Sequence, residues 1–282
     1  MRTVVVTGAS TGIGHGCVKV LISAGFRVFG SVRKQGDADR LQAEFGANFT
    51  PLIFDVTDRE AVKRGAAIVE KALSGETLFG LVNNAGVAVA GPLLHLDLDE
   101  LRQQIEINLI AQLGVTQAFA PLLGADRSRK GKPGRIVMMS SIGGKNAFPF
   151  MGPYSASKFG LEGMGESLRR ELMIFGIDVI MMRPGAVATP IWDKADEVDV
   201  NRFANTPYFD ALKKIKDVMI DRGRKGYPPE RIGRAVLKAL TAARPKAAYT
   251  ENPEKLQGLA VRVLPKRALD KAIASQLGLT RK

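Results

Sequence analysis

Short apolar runs alternate with longer amphipathic stretches along most of the chain. Val4 to Val6, Arg27 to Val32, Asn48 to Phe54, Leu78 to Val82, Arg135 to Ser140 and Ile177 to Arg183 are brief, apolar and mostly β-branched. Runs of that kind predict strands buried on both faces. Between them, helical patterns are predicted over about 12–24, 37–45, 58–73, 97–122 and 153–175. Asp58 and Asp97 are predicted N-caps, and Gly25 and Gly176 predicted C-terminal stops. A further helix is expected near 229–243 and a last short strand near 247–250.

Strand–helix alternation with right-handed crossovers predicts an α/β fold, a single doubly wound parallel sheet of Rossmann type with helices on both faces. One domain is expected over 1–282. Residues 190–226 break the alternation with Trp192, Phe203, Tyr208 and Phe209 among polar residues, and predict a substrate loop, lid or helical insertion. Residues 251–282 read as a C-terminal extension.

Composition narrows the classes. With 45% hydrophobic and 24% charged residues, neither disorder, collagen nor coiled coil describes the chain. A single cysteine, Cys17, excludes an intramolecular disulfide framework, fits a reducing cytoplasm and reads as packing against the sheet. That cysteine and two histidines make a metal site unexpected. No secretory signal pattern follows Met1, and no run approaches the roughly 18 apolar residues of a spanning helix.

The net charge of +13 gathers at 127–132 and in the tail from Val261. No aromatic residues interleave with these charges, so nucleic-acid binding is not expected. The tail sets Leu256, Leu259, Val261, Val263, Leu264 and Leu269 among basic residues. It reads as a helix docked on its own domain, with weak peripheral contact with an anionic membrane as the other reading.

Thr7-Gly8-Ala9-Ser10-Thr11-Gly12-Ile13-Gly14 falls between the first strand and the first helix. Glycines there allow close backbone approach, and a helix N-terminus offers free N–H groups to a pyrophosphate. The second strand ends at Val32-Arg33-Lys34 with no acid. A carboxylate would hold a ribose 2′-hydroxyl, whereas Arg33 would attract a 2′-phosphate. NADP(H) is therefore the expected cofactor, with NAD(H) still open.

Tyr154 and Lys158 are four apart and share one helix face. A nearby ammonium would lower the phenol's pKa and let it exchange a proton near neutrality. Ser140-Ser141, Asn83-Asn84-Ala85-Gly86 and Pro184-Gly185 end predicted strands on the same rim, where ligands bind in doubly wound sheets.

Taken together, Thr7-Gly8-x-x-x-Gly12-Ile13-Gly14, Asp55-Val56, Asn83-Asn84-Ala85-Gly86, Asn108, Ser141, Tyr154-x-x-x-Lys158 and Pro184-Gly185 resemble the short-chain dehydrogenase/reductase family over about residues 2–190. The run from Ser141 through Phe148-Pro149-Phe150 to Gly163 is most similar to the hydroxysteroid and retinol dehydrogenase branch. The resemblance implies an NAD(P)(H)-dependent oxidoreductase interconverting a hydrophobic secondary alcohol and its ketone. Tyr154 would be general acid or base, and Lys158 would lower its pKa and bind the nicotinamide ribose. Ser141 would hold the substrate oxygen, and Asn108 a water linking Lys158 to solvent. Gly8, Ser10, Thr11, Gly12, Ile13, Gly14 and Arg33 would hold the phosphates. Asp55 and Val56 would meet the adenine, and Asn84, Ala85 and Gly86 the adenosine ribose side. Pro184, Gly185, Val187 and Thr189 would meet the carboxamide. Thr11 departs from the family's NADP pattern, which often has a basic residue there. The resemblance also implies a homodimer or homotetramer built through the long helices.

Gly143, Phe148, Phe150 and Trp192, with Ser141 and Tyr154, are the candidate substrate residues. An apolar wall around few polar groups suits a bulky hydrophobic alcohol or ketone. Two other readings stay open. One is reduction of a 3-oxoacyl thioester on an acidic carrier docked at Arg127–Lys132. The other is a non-catalytic dinucleotide sensor, which would need only the phosphate end.

Overall fold

The computed structural model describes residues 1–254 and 264–280. Seven strands form one parallel sheet: β1 (Thr3–Val6), β2 (Arg27–Val32), β3 (Phe49–Ile53), β4 (Gly80–Asn83), β5 (Arg135–Met139), β6 (Asp178–Pro184) and β7 (Ala248–Glu251). Their spatial order is β3-β2-β1-β4-β5-β6-β7, with every neighbouring pair parallel. The chain winds outward from β1 to β3, then crosses back to place β4 on the other side of β1. The reversal between β1 and β4 opens a crevice at the carboxyl ends of the strands.

Apolar residues fill both faces of this sheet. On one face lie α1 (Gly12–Ser23), α2 (Gln35–Phe45) and α9 (Pro229–Thr241), packed on Val4, Val6, Val28, Val82 and Ile180. On the other lie α3 (Arg59–Leu73), α5 (Ala111–Phe119) and α6 (Gly152–Glu171), packed on Val5, Phe29, Leu81, Ile136 and Val179. β1 has no exposed residue on either face, which is why its pattern is continuous rather than alternating. Cys17 is buried in the first layer, as expected. Asp58 caps α3 by accepting from the Ala61 N–H at 2.9 Å.

The predicted helix over 97–122 is interrupted. α4 (Leu98–Ile105) passes through one π-helical turn, Glu106–Ile110, before α5 begins. Asn108 sits in that turn and is completely buried. Its side chain reaches the backbone of Val87, a tertiary demand that regular helical winding does not meet.

Residues 190–226 fold as helices. α7 (Ile191–Asp196) and α8 (Phe209–Arg224) flank a 3-10 turn at Asn201–Phe203. They have their own small core of Phe150, Phe203, Ala211, Leu212 and Leu277. Leu277 comes from the C-terminal helix Lys266–Leu277, whose Gln276 carbonyl accepts from Lys214 at 2.7 Å. This helix is thus docked on α8. Leu256, Leu259, Val261 and Val263 lie outside the described residues. Among the described residues, no helix is long and apolar enough to cross a membrane.

Candidate active site

The crevice has two ends, and each is built from the strand ends upward. At the first, β1 runs into the Gly8–Gly14 turn and then α1. Gly8 and Gly12 adopt left-handed backbone, with φ of 64° and 58°. A Cβ at Gly14 would lie 2.1 Å from the Gly8 carbonyl oxygen. A Cβ at Gly12 would meet the Thr189 side chain at 3.2 Å, so Thr189 stands directly over the turn. Thr11 occupies the N-cap position of α1 without a side-chain cap bond, and the first turn holds no acid. This is a cradle with free N–H groups and positive dipole, and it fits a dinucleotide pyrophosphate.

Polar side chains brace the cradle from behind. The Gly8 N–H donates to Ser31 Oγ at 3.0 Å. The Asn84 and Ala85 N–H groups donate to Thr7 Oγ1 at 2.9 and 3.0 Å. Asn84 Nδ2 donates to the carbonyls of Thr7 and Gly8 at 2.9 and 3.2 Å. Both amide hydrogens of Asn84 are thereby spent on the turn. Asn84 thus braces the phosphate turn through its amide nitrogen.

At the adenosine end, Arg33 is well exposed and its guanidinium lies 3.8 Å from the Asp55 carboxylate. Asp55 also accepts from the N–H and hydroxyl of Thr57, at 3.0 and 2.8 Å. Partial burial pushes its carboxyl up, but the Thr57 bonds and Arg33 together hold it below the usual range. Val56 is buried beside it. Ser10 is partly exposed, and its carbonyl accepts from Arg40 Nη2 at 2.6 Å. Arg40 is thus a second guanidinium at this turn that sequence reading passed over. Asp37 lies in the first turn of α2 and pairs with Arg40, and His15 pairs with Glu44.

The second end forms where β5, β6 and α6 meet. Ser141 has extended backbone and caps a 3-10 turn over Ile142–Gly144, its Oγ accepting from the Gly143 N–H at 3.0 Å. A Cβ at Gly143 would stand 3.1 Å from the Tyr154 ring, so only a small residue lets that ring approach Ser141. Lys158 is 5% exposed and donates from Nζ to the Met139 carbonyl at 2.7 Å. Its Nζ is 5.8 Å from the Tyr154 ring centre. A Cβ at Gly86 would meet Asn108 Oδ1 at 3.1 Å and Lys158 Nζ at 3.8 Å. Ser141, Tyr154, Lys158 and Asn108 therefore converge on one rim.

Burial shapes the charge states of Tyr154 and Lys158. Burial pushes the Tyr154 phenol above its ordinary value, and only the Ser141 hydroxyl pulls the other way. Desolvation lowers Lys158 to about 8, partly offset by the charge of Glu162. Both shifts have the same physical cause, removal of the group from water, which disfavours its charged form. The unfolded chain holds the lysine proton to a higher pH. Stability therefore rises with pH from about 8 toward the ordinary lysine value, as the folded state sheds its buried charge.

Asn108 Oδ1 accepts from the Val87 N–H at 2.9 Å, while Nδ2 donates to the Val87 carbonyl at 2.9 Å and to Ser157 Oγ at 3.2 Å. One lone pair of Oδ1 remains for a further donor such as a water. Gln104 and Gln112, unforeseen, do parallel work. Gln104 bonds the carbonyl of Val87 and the N–H of Val89, at 3.0 and 2.6 Å, and Gln112 the carbonyl of Ala85 at 2.6 Å. The spacing of 104, 108 and 112 by four is a polar stripe on one helix face, and that signal was present in the sequence.

Substrate-side residues divide. Phe148 and Gly143 are partly exposed, Gly143 against the Tyr154 ring. Phe150 is buried in the lid core, with a left-handed φ of 65° that orients its ring toward Tyr208, edge-on at 6.0 Å. Trp192 is tied into the structure on two sides. Its indole N–H donates to the Val187 carbonyl at 2.7 Å, and its ring fills the space a Cβ on Gly223 would occupy. It latches α7 and α8 to the strand exit at Val187. Pro184 ends β6 and accepts, at 3.5 Å, from Ser141 Oγ. Gly185 follows it, tight against Asn252. No group of side chains suited to a metal ion occurs among the described residues.

A pyrophosphate cradle at the switch point of a parallel sheet, facing a Ser-Tyr-Lys cluster, defines a nicotinamide-dinucleotide oxidoreductase of Rossmann type. Comparison with known proteins makes the class specific: residues 2–199 match the model of the short chain dehydrogenase family, and the chain belongs to it. An NADPH-dependent 3-dehydrocapnine reductase from Ornithobacterium rhinotracheale is 38% identical over 278 residues, covering 98% of each chain. Human retinol dehydrogenase 5 is 31% identical over 285 residues, covering 95% of this chain and 86% of that protein. A short-chain dehydrogenase/reductase from Burkholderia phymatum, solved with NAD, shares the fold with a TM-score of 0.78 at 20% identity, over 93% of this chain and 92% of that one.

Proposed function

We propose that this enzyme reduces a bulky hydrophobic ketone to its secondary alcohol, and catalyses the reverse oxidation, with NADPH preferred over NADH. The observation that carries this reading is the packing of Ser141, Gly143, Tyr154, Lys158 and Asn108 onto one rim beside the cradle. When bound, the dinucleotide supplies or accepts the hydride. Tyr154 gives its phenolic proton to the substrate oxygen in reduction and takes it back in oxidation. Its raised pKa keeps it protonated, which suits the acid role. The Ser141 hydroxyl holds the substrate oxygen and stabilises its developing charge. Lys158 holds the nicotinamide ribose and presents a positive charge to the phenolate formed as Tyr154 loses its proton.

The exposed Arg33 supports a 2′-phosphate, and the relative named for NADPH supports the same choice. The apolar lid core and partly exposed Phe148 support a hydrophobic substrate. The basic loop gives little support to docking of an acidic carrier. Arg129 is 5% exposed and paired with Glu70 and Asp126, and Arg127 donates to the Ile174 carbonyl. Assembly into a homodimer or homotetramer, supported by exposed Ile110 and Phe159, belongs to the same proposal, as does weak contact of the basic tail with an anionic membrane.

The test is oxidation of NADPH and NADH by purified protein over a panel of apolar ketones, with Tyr154→Phe as control. Turnover with NADPH should exceed that with NADH, and Tyr154→Phe should lose about 10²- to 10⁴-fold. A variant that turns over like the wild type would overturn the assignment.

A further inference from the structure

Glu162 lies one helical turn beyond Lys158 on α6 and is only 7% exposed. A carboxylate buried to that degree needs partners. Arg183 on β6 supplies two parallel bonds, Nε to Oε1 at 2.8 Å and Nη2 to Oε2 at 2.6 Å. Lys145, just past the Ile142–Gly144 turn, brings its ammonium to 3.4 Å from the same Oε2. Gly144 permits this closeness, since a Cβ there would meet Ser140 Oγ at 2.8 Å, the Lys158 carbonyl at 2.9 Å and Glu162 Cγ at 3.2 Å. The charged groups that touch Glu162 are therefore Arg183 from β6 and Lys145 from the turn; the Ser140 hydroxyl after β5 borders it across Gly144, and Lys158 lies one turn earlier on its own helix. Glu166, one turn further, is exposed and paired with Arg169 and Arg170. One carboxylate thus pairs with two cations, one helical turn from Lys158, where the catalytic segments meet.

We propose that Glu162 is a positioning residue for Lys158: gripped by Arg183, it fastens the catalytic turn of α6 to the end of β6 and to the Ser141–Gly144 turn, and its charge supports the Lys158 ammonium. The grip has a direct route to the reacting groups. Arg183 precedes Pro184, whose carbonyl accepts from Ser141, and Lys145 follows the turn that carries Gly143. The inference rests on Lys158 as a site residue, but its electrostatic content can be read without turnover.

The experiment follows the Lys158 ¹³Cε shift against pH in free protein labelled at lysine, with Lys158→Met to assign the signal. The wild-type midpoint is expected at about 8. Glu162→Gln removes the anion and leaves Arg183, so the midpoint should fall by roughly one unit. Arg183→Met leaves the anion less neutralised, so the midpoint should rise. Lys145→Gln changes an exposed side chain and should also raise it, by less. The alkaline limb of turnover should shift with each midpoint. Loosening of the packing alone would not move the carboxylate and guanidinium variants in opposite directions. Unchanged midpoints, or shifts of one sign for Glu162→Gln and Arg183→Met, would overturn the proposal. Should Glu162→Gln fail to fold, the Lys145→Gln shift decides. Retention of turnover in Tyr154→Phe would instead sink the reading of the site while leaving these shifts to stand or fall separately.

Discussion

The two ends of the crevice are made of different materials. The phosphate end is backbone and neutral polar groups: left-handed Gly8 and Gly12, the hydroxyls of Thr7 and Ser31, and the amide of Asn84. The chemical end is side chains with shifted proton affinities: Tyr154 raised, Lys158 lowered, Glu162 clamped by Arg183. The contrast follows from what each end must hold. A pyrophosphate is already charged and needs N–H groups at a fixed distance, so space decides binding there. A proton transfer needs groups whose charge can change, so desolvation and paired ions decide reactivity at the other end. Substitutions at the first end should act through shape at every pH, and those at the second through titration.

The hardest blow to the shape-governed end is Gly14→Ala. Its Cβ would lie 2.1 Å from the Gly8 carbonyl oxygen and 2.6 Å from Asn84 Nδ2, and neither can move without opening the turn. Overpacking of this kind costs about 1–3 kcal/mol, roughly 2–10 °C in melting temperature for a chain of this size. Dinucleotide affinity should fall more than tenfold, as the N–H groups lose their alignment. Thermal melts and NADPH fluorescence titration measure both. The affinity ratio of variant to wild type should be the same at pH 7 and pH 9, because no titrating side chain forms the turn. A ratio that follows the Lys158 titration would erase the contrast between the ends.

The shape-governed end was also the more legible in sequence. Its glycines, the strand before it and the helix after it are contiguous, and β2 matches its predicted span of Arg27–Val32 because both flanks carry local stop signals. Features built by tertiary contact were not legible. The helical pattern over 97–122 runs on through the π turn, since the break at Asn108 is imposed by Val87, 21 positions away. The Glu162–Arg183 pair also spans 21 positions, and nothing local distinguishes Glu162 from any solvated helix glutamate. Trp192 reads as an aromatic in a substrate loop until Gly223 and the Val187 carbonyl are seen to claim it.

That latch gives a prediction of intermediate size, which separates the lid from both ends. In Gly223→Ala the new methyl would lie 2.0 Å from Trp192 Cε2, forcing the indole off α8 and away from the Val187 carbonyl. Trp192 is the chain's only tryptophan, so its fluorescence reports the lid directly. Emission should shift to the red, and KM for the ketone should rise severalfold while the dissociation constant for NADPH stays within about twofold, since Gly8–Gly14 is untouched. Equal losses of affinity for both ligands would mean that the lid and the cradle are one mechanical unit.

The smallest expected effect isolates the backbone character of the phosphate end most cleanly. Loss of a helix N-cap side chain ordinarily costs about 1 kcal/mol. Asp58 makes that bond, accepting from the Ala61 N–H at 2.9 Å, so Asp58→Ala should lose about that much. Thr11 holds the same position on α1 with extended backbone, at φ −150°, but makes no side-chain cap bond. Its hydroxyl is exposed and leaves the α1 N–H groups free for a ligand. Thr11→Ala should therefore cost free protein less than about 0.5 kcal/mol, within the range of ordinary surface substitutions. Urea unfolding of the two variants without cofactor measures the difference. Equal costs would show that Thr11 already caps α1 in solution, and the cradle would then owe its open N–H groups to something other than a cap left unmade.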